Sequence, residues 1–159
     1  MGLDIRAYSG LVKVRAFNEG DESGDYYDQG LRKFYPHIDF PASRFTPLEE
    51  NMLYSYVSEY SFRAGSYSGY NEWREQLAAL VGTTTDQVWA EPQPGPFMEL
   101  INFADNEGTL GSEICEKLLH DFQGWNDRAK GGGTWFYDRY VHWMKAFELG
   151  ADNGAVDFG

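Results

Sequence analysis

Two arginines bracket a turn made of small and hydroxyl-bearing residues in the stretch FRAGSYSGYNEWRE, Phe62 to Glu75. A strand running into a helix N-terminus leaves backbone N–H groups unpaired, and the helix dipole there favours an anion. Gly65 and Gly69 allow close backbone approach, while Ser66 and Ser68 add hydroxyl donors. Arg63 and Arg74 supply charge suited to bidentate contact with phosphate or carboxylate. Tyr67 and Tyr70 offer rings for stacking, and Asn71 is a further polar contact. The same residues also read as a turn, with Ser68 or Gly69 capping the helix and the tyrosines packing inward. No Walker loop is present, because the Lys-Ser/Thr ending is missing.

The second polar stretch is MELINFADNEGTLGSE. Alternation puts Glu99 on the strand face of Phe97, Ile101 and Phe103, where a carboxylate needs a partner such as Arg63 or Arg74. If that face is exposed instead, Glu99 is solvated. Asn102 adds an amide to the candidate pocket. Asp105 and Glu107 follow in a turn, and two carboxylates so close together are oxygen ligands for a divalent cation, or simply an acidic turn.

Other chemistry has little support. The histidines, His37, His120 and His142, fall in separate segments, and no HExxH, His-x-His or GxSxG pattern occurs. Cys115 follows the apolar-face residue Ile114 and reads as partly buried. With a single cysteine there is no internal disulfide and no cysteine-based zinc site.

These residues need elements to position them. LDIRAY alternates as a first strand, and LVKVRAF repeats the pattern after a Ser9-Gly10 turn, suggesting a hairpin. Residues 18–30 form an acidic, glycine-rich loop, and 31–46 are irregular. Thr46-Pro47-Leu48-Glu49 carries the signature of a helix start. Tyr54, Tyr56, Ser58, Tyr60 and Phe62 alternate as one long strand with an aromatic face. Trp73, Leu77 and Leu80 continue as a helix that stops at Gly82. A proline-rich loop covers 91–96, and FMELINF reads as a strand. Ile114, Leu118, Phe122, Trp125 and Ala129 mark one helix broken by Gly131 to Gly133. Phe136, Tyr140, Trp143 and Phe147 mark a last helix capped by Thr134, and GAVDFG closes the chain as an edge strand. The sum is a single α+β domain over 1–159: a largely antiparallel sheet covered on one face by about three helices.

Net charge is −12, from 25 acidic and 13 basic residues, which argues against direct nucleic-acid binding through phosphates. It leaves room for a local basic pocket, or for an acidic surface that occupies a basic partner protein. An aromatic share of 17% argues against disorder of the whole chain. The N-terminus lacks a signal-peptide layout, Arg6 stands where a myristoylation signal needs Ser or Thr, and no apolar run reaches membrane-span length. A cytoplasmic protein is expected, with no membrane partner.

The motifs FRAGSYSGYNEWR and ELINFADNEGTLG, with MGLDI at the start and AFELGADNGAVDF at the end, resemble a family of small uncharacterised proteins from bacteria and their phages. The resemblance implies relatives rather than a mechanism. A phage origin implies action in the host cytoplasm and an anti-defence role. The expected function is binding of a small anionic, nucleotide-like ligand, as in sequestration, by Arg63, Ser66, Tyr67, Ser68, Tyr70, Asn71, Arg74, Glu99 and Asn102. The alternatives are an acidic, nucleic-acid-mimicking inhibitor of a basic protein, and a hydrolase that uses a divalent cation at Asp105 and Glu107.

Overall fold

Alternation in the first strand, β1 (Gly2–Ser9), sends Leu3, Ile5 and Ala7 inward, as the sequence predicts. The structure, a computed structural model, describes residues 2–159. After β1 come β2 (Val12–Ala16), α1 (Asp25–Asp28), β3 (Arg32–Lys33), β4 (Met52–Ser55), β5 (Ser58–Ser66), α2 (Tyr67–Leu80), α3 (Thr85–Ala90) and α4 (Met98–Ile101). The chain continues through β6 (Thr109–Gly111), α5 (Ser112–Gly124), α6 (Asn126–Lys130), α7 (Thr134–Ala151) and β7 (Ala155–Phe158).

The fold is α+β. One antiparallel sheet has the strand order β5-β1-β7-β6, and a smaller antiparallel sheet has the order β2-β4-β3. Helices α2, α5 and α7 cover one face of the four-stranded sheet. Beneath them Tyr70, Trp73, Trp143 and Phe147 form a stacked aromatic core. Burying each such side chain stabilises the fold by about 1.5–3 kcal/mol.

The opposite face of this sheet is only half covered. Tyr8 and Ala155 lie there beneath Leu11, Phe34, Phe45 and Tyr54, a second core under the three-stranded sheet. This explains why β1 is buried on both faces towards its end. The other half of the face stays open, and the candidate site lies on it.

Several sequence expectations change. Ser9-Gly10 does not make a hairpin, since β1 and β2 belong to different sheets. Leu11 N–H instead donates to the Asn153 carbonyl (2.8 Å), and Asn153 Nδ2 donates to the Leu11 carbonyl (3.0 Å). The long aromatic strand is two strands. Tyr54 serves the small sheet, while Tyr60 and Phe62 face the helices. No helix starts at Thr46, where the Glu49 N–H goes to the Tyr54 hydroxyl (2.9 Å) and the Glu49 side chain pairs with Lys13. Ser66, not Ser68 or Gly69, is the N-cap of α2. Gly133 precedes α7, so Thr134 is its first residue rather than its cap. The helix expected through Ala129 breaks at Trp125 into α5 and α6.

The final strand is interior rather than an edge. β7 lies between β1 and β6, entered through Gly154 so close to β1 that a Cβ there would sit 1.8 Å from the Tyr8 carbonyl oxygen. Among the described residues no helix is long and apolar enough to cross a membrane.

Candidate functional site

FMELINF is the helix α4 and its flanks, not a strand, and side chains explain why. Arg44 Nη1 donates to the carbonyls of Glu99 (2.9 Å) and Asn102 (2.7 Å). Arg74 Nη1 donates to those of Phe103 (2.8 Å) and Ile101 (3.4 Å), and Trp89 Nε1 donates to Ile101 (2.9 Å). The carbonyls a sheet ladder would have used are met by side chains instead, the buried Arg44 and Arg74 and the partly exposed Trp89.

Arg74 is therefore committed. It is 3% exposed, donates to Asn71 Oδ1 as well, and lies over the rings of Tyr70 and Trp89. It neither faces Arg63 nor meets Glu99. Glu99 instead accepts from Lys117 Nζ (2.7 Å), which also donates to Asp121 Oδ2 (2.6 Å) and the Gly95 carbonyl (2.6 Å). Lys117 thus fastens the proline-rich loop to α4 and α5. Ser66 accepts the Gly69 N–H (3.0 Å) and lies 3.2 Å from the Ser68 hydroxyl. Tyr70 is fully buried, its hydroxyl pushed up to about 12 by desolvation, and Tyr67 packs against the core. Asn102 contributes its carbonyl to Arg44. Of the expected ligand set, Arg63 alone lines a cleft on the open half of the sheet.

That open half is organised by register. Ser61 on β5 opposes Arg6 on β1, Arg6 opposes Asp157 on β7, and Asp157 opposes Thr109 on β6. Side chains directly opposite across an antiparallel ladder share a face. The four residues form one polar row across the sheet, with Asp4 and Arg63 opposite each other beside it. Asp4, Arg6, Ser61, Phe62 and Arg63 line a hollow of about 240 Å³. Tyr35, Pro36, His37, Ile38, Glu107, Gly108, Asp157 and Phe158 line a neighbouring one of about 350 Å³. The two lie side by side where Arg6 of the first stands opposite Asp157 of the second, and we treat them as one groove: Arg6 and Arg63 lie at one end, with Arg63 Nη1 3.3 Å from Asp4 Oδ1, and Asp157 and Glu107 at the other.

Asp157 is the perturbed group of the groove. Burial is the main cause and raises its carboxyl to about 6, against a lowering hydrogen bond from Thr109 and the Arg6 charge. Thr109 Oγ1 donates to Asp157 Oδ1 (2.7 Å) and accepts the Tyr35 N–H (3.4 Å). This relay ties the segment after β3 to the sheet. His37 Nδ1 accepts the Asp39 N–H (3.1 Å), which leaves Nε2 towards Glu107, 3.7 Å away. A carboxyl poised near neutrality in a cleft suits proton exchange with a ligand.

Glu107 thus pairs with His37 rather than joining Asp105. Among the described residues no three His, Cys, Asp or Glu side chains cluster to hold a metal ion. Cys115 is fully buried, its thiol pushed up by desolvation and donating to the Leu110 carbonyl (3.5 Å). A larger hollow of about 480 Å³ lies against the proline-rich loop, but Glu91 is its one charged residue.

Sequence reasoning missed Arg6, His37 and Asp157. A signal existed: period two puts the polar Asp157 on the face opposite Val156 and Phe158, two residues from Ala155. The chain matches no protein-family model, no curated protein and no solved structure.

Proposed function

We propose that the groove on the open half of the four-stranded sheet binds a small anionic, nucleotide-like ligand. The anionic group lies on Arg6 and Arg63, Ser61 adds a hydroxyl, and the Asp157–His37–Glu107 end receives hydroxyl or amino groups. Tyr35, 55% exposed at the rim, is placed to stack on a ring. The observation that supports this reading is the cross-strand row, because it sets two arginines against one aspartate at one end of a groove in a chain of net charge −12. A local cation pair in an acidic molecule focuses anions where the rest of the surface repels them. Sequestering a nucleotide in the cytoplasm of a bacterial host fits the resemblance of the sequence motifs to those of small bacterial and phage proteins.

The test is a thermal-shift screen of nucleotides and cyclic nucleotides, with and without magnesium, on wild type and Arg6→Ala. A stabilising ligand raises the midpoint with the logarithm of its excess. The reading expects a shift for at least one nucleotide that Arg6→Ala abolishes. No shift with any nucleotide, or a shift indifferent to Arg6→Ala, overturns it. Inspection of the same mixtures for product distinguishes a binder from a hydrolase.

A second reading rests on the acidic segment, which is ordered by short helical turns. It presents Glu19, Glu22, Asp25 and Asp28 to solvent, while Asp21 is held by Arg15 (2.6 and 2.7 Å). Such a surface fits a basic partner protein. Salt-sensitive capture of one stoichiometric basic protein, lost on Glu19, Glu22, Asp25 and Asp28 neutralisation, supports it.

A further inference from the structure

We infer that two copies of this chain pair through strand β5, forming one antiparallel sheet that runs across both. β5 is nine residues long, stands at the edge of its sheet, and contains neither proline nor lysine. Natural edges are blunted by such residues, by other charges, by bulges, by shortness or by a covering element, and an open one templates further pairing. β5 carries a bulge at Ala64, but the run 58–63 before it pairs regularly with β1 and is open on its other side.

Register shows which groups are free. The Asp4 carbonyl accepts the Gly159 N–H (2.9 Å), so the backbone groups of Asp4, Arg6 and Tyr8 face β7. By alternation Ile5 and Ala7 face β5, where they oppose Phe62 and Tyr60. The N–H and C=O groups of Glu59, Ser61 and Arg63 therefore point away from the sheet. All three residues are exposed.

The occupant follows from the strand's own symmetry. A two-fold axis at Ser61 sets Ser61 against Ser61 of the second copy, each such pair exchanging two hydrogen bonds. The same axis puts Glu59 opposite Arg63 of the second copy, twice over, with opposite charges on one face. On the other face Tyr60 meets Phe62 of the second copy. Opposite-charge and aromatic cross-strand pairs both favour such a ladder. Shifting the register by two residues in either direction loses the charge pair and the Tyr60–Phe62 pair, so one alignment is selected. Ser61 and Arg63 also line the groove, so its arginine end adjoins the same end of the second copy. The inference rests on the strand and stands whether or not a nucleotide binds.

Sedimentation or light scattering on the full chain tests it. Wild type is expected at twice the 18.1 kDa chain mass. Ser61→Pro removes an outward N–H without touching the β1 ladder, so it is expected as a folded monomer with an unchanged circular dichroism spectrum. Glu59→Lys and Arg63→Glu each place like charges opposite one another and are expected to be monomeric alone. Mixed together they restore opposite charges at both pairs and are expected to give a heterodimer. A monomeric wild type overturns the inference, as does a dimer that survives Ser61→Pro, or charge variants that stay monomeric when mixed.

Discussion

Arg6 on β1 and Asp157 on β7 stand directly opposite each other on the half of the sheet that the three-stranded sheet leaves uncovered, with Asp157 beside the segment 35–38. The cation lowers a carboxyl that burial raises, and burial wins, leaving Asp157 at about 6. The pair joins the two ends of the groove, and its energetics can be read in solution.

Asp157 has a folded pKa above its unfolded value of 3.8, so the folded state binds the proton more tightly. Its contribution to stability is full below about pH 4 and is lost as pH rises through about 6. Asp157→Asn keeps an oxygen to accept from Thr109 and removes the buried charge. The variant is expected to be more stable than wild type at pH 7 by about 1–3 kcal/mol, with the difference shrinking to near zero at pH 4. Urea denaturation at the two pH values measures this. Arg6→Ala removes the charge that favours the carboxylate, so the Asp157 titration followed by NMR should move upward. A lower midpoint in Arg6→Ala would refute the assigned coupling.

The limits of the sequence are instructive beside that pair. The period of Trp73, Leu77 and Leu80 reveals α2, and the alternation of Leu3, Ile5 and Ala7 reveals β1, because each segment buries one face along its whole length. FMELINF shows the same alternation in a short run, where period alone does not separate strand from helix. What decides it is remote in sequence: Arg44, Arg74 and Trp89 claim its carbonyls. Arg63 and Arg74 look like a pair because eleven positions separate them across one turn, yet the strand presents the first outward and the helix turns the second inward. Asp157 is legible as polar on an alternating strand. That its face is left half open is a tertiary outcome of where the small sheet lies.

Arg74 leads to the second prediction, which separates scaffold from site. Removing its guanidinium leaves the Phe103 carbonyl buried without this donor, at about 1–3 kcal/mol, and deletes a buried group packed on Tyr70 and Trp89, while the Ile101 carbonyl keeps the Trp89 Nε1 donor. Arg74→Ala should therefore lose about 2–4 kcal/mol in chemical denaturation. Arg74→Lys should recover part of that loss, since an ammonium lacks the planar fork. Nucleotide affinity of the folded Arg74→Lys protein should match wild type. A selective loss of affinity at unchanged stability would move the ligand towards Arg74 and away from the groove.

The third prediction concerns the turn that places Glu107 beside His37. Gly108 has φ of +102°, a left-handed conformation that L side chains rarely adopt. A Cβ added there would lie 2.9 Å from Phe103 Cζ and 3.0 Å from His37 Cβ. Both neighbours are held, Phe103 by Phe158 and His37 by Phe40. Neither has slack to give, so Gly108→Ala combines backbone strain with overpacking and should cost about 2–4 kcal/mol. The Gly108 carbonyl also accepts the Phe158 N–H (2.9 Å), so displacement of the turn carries to the strand end beside Asp157. Gly108→Ala should consequently shift the Asp157 titration midpoint as well as the denaturation midpoint. An alanine variant with wild-type stability and an unmoved Asp157 titration would show that this turn does not shape the acidic end of the groove.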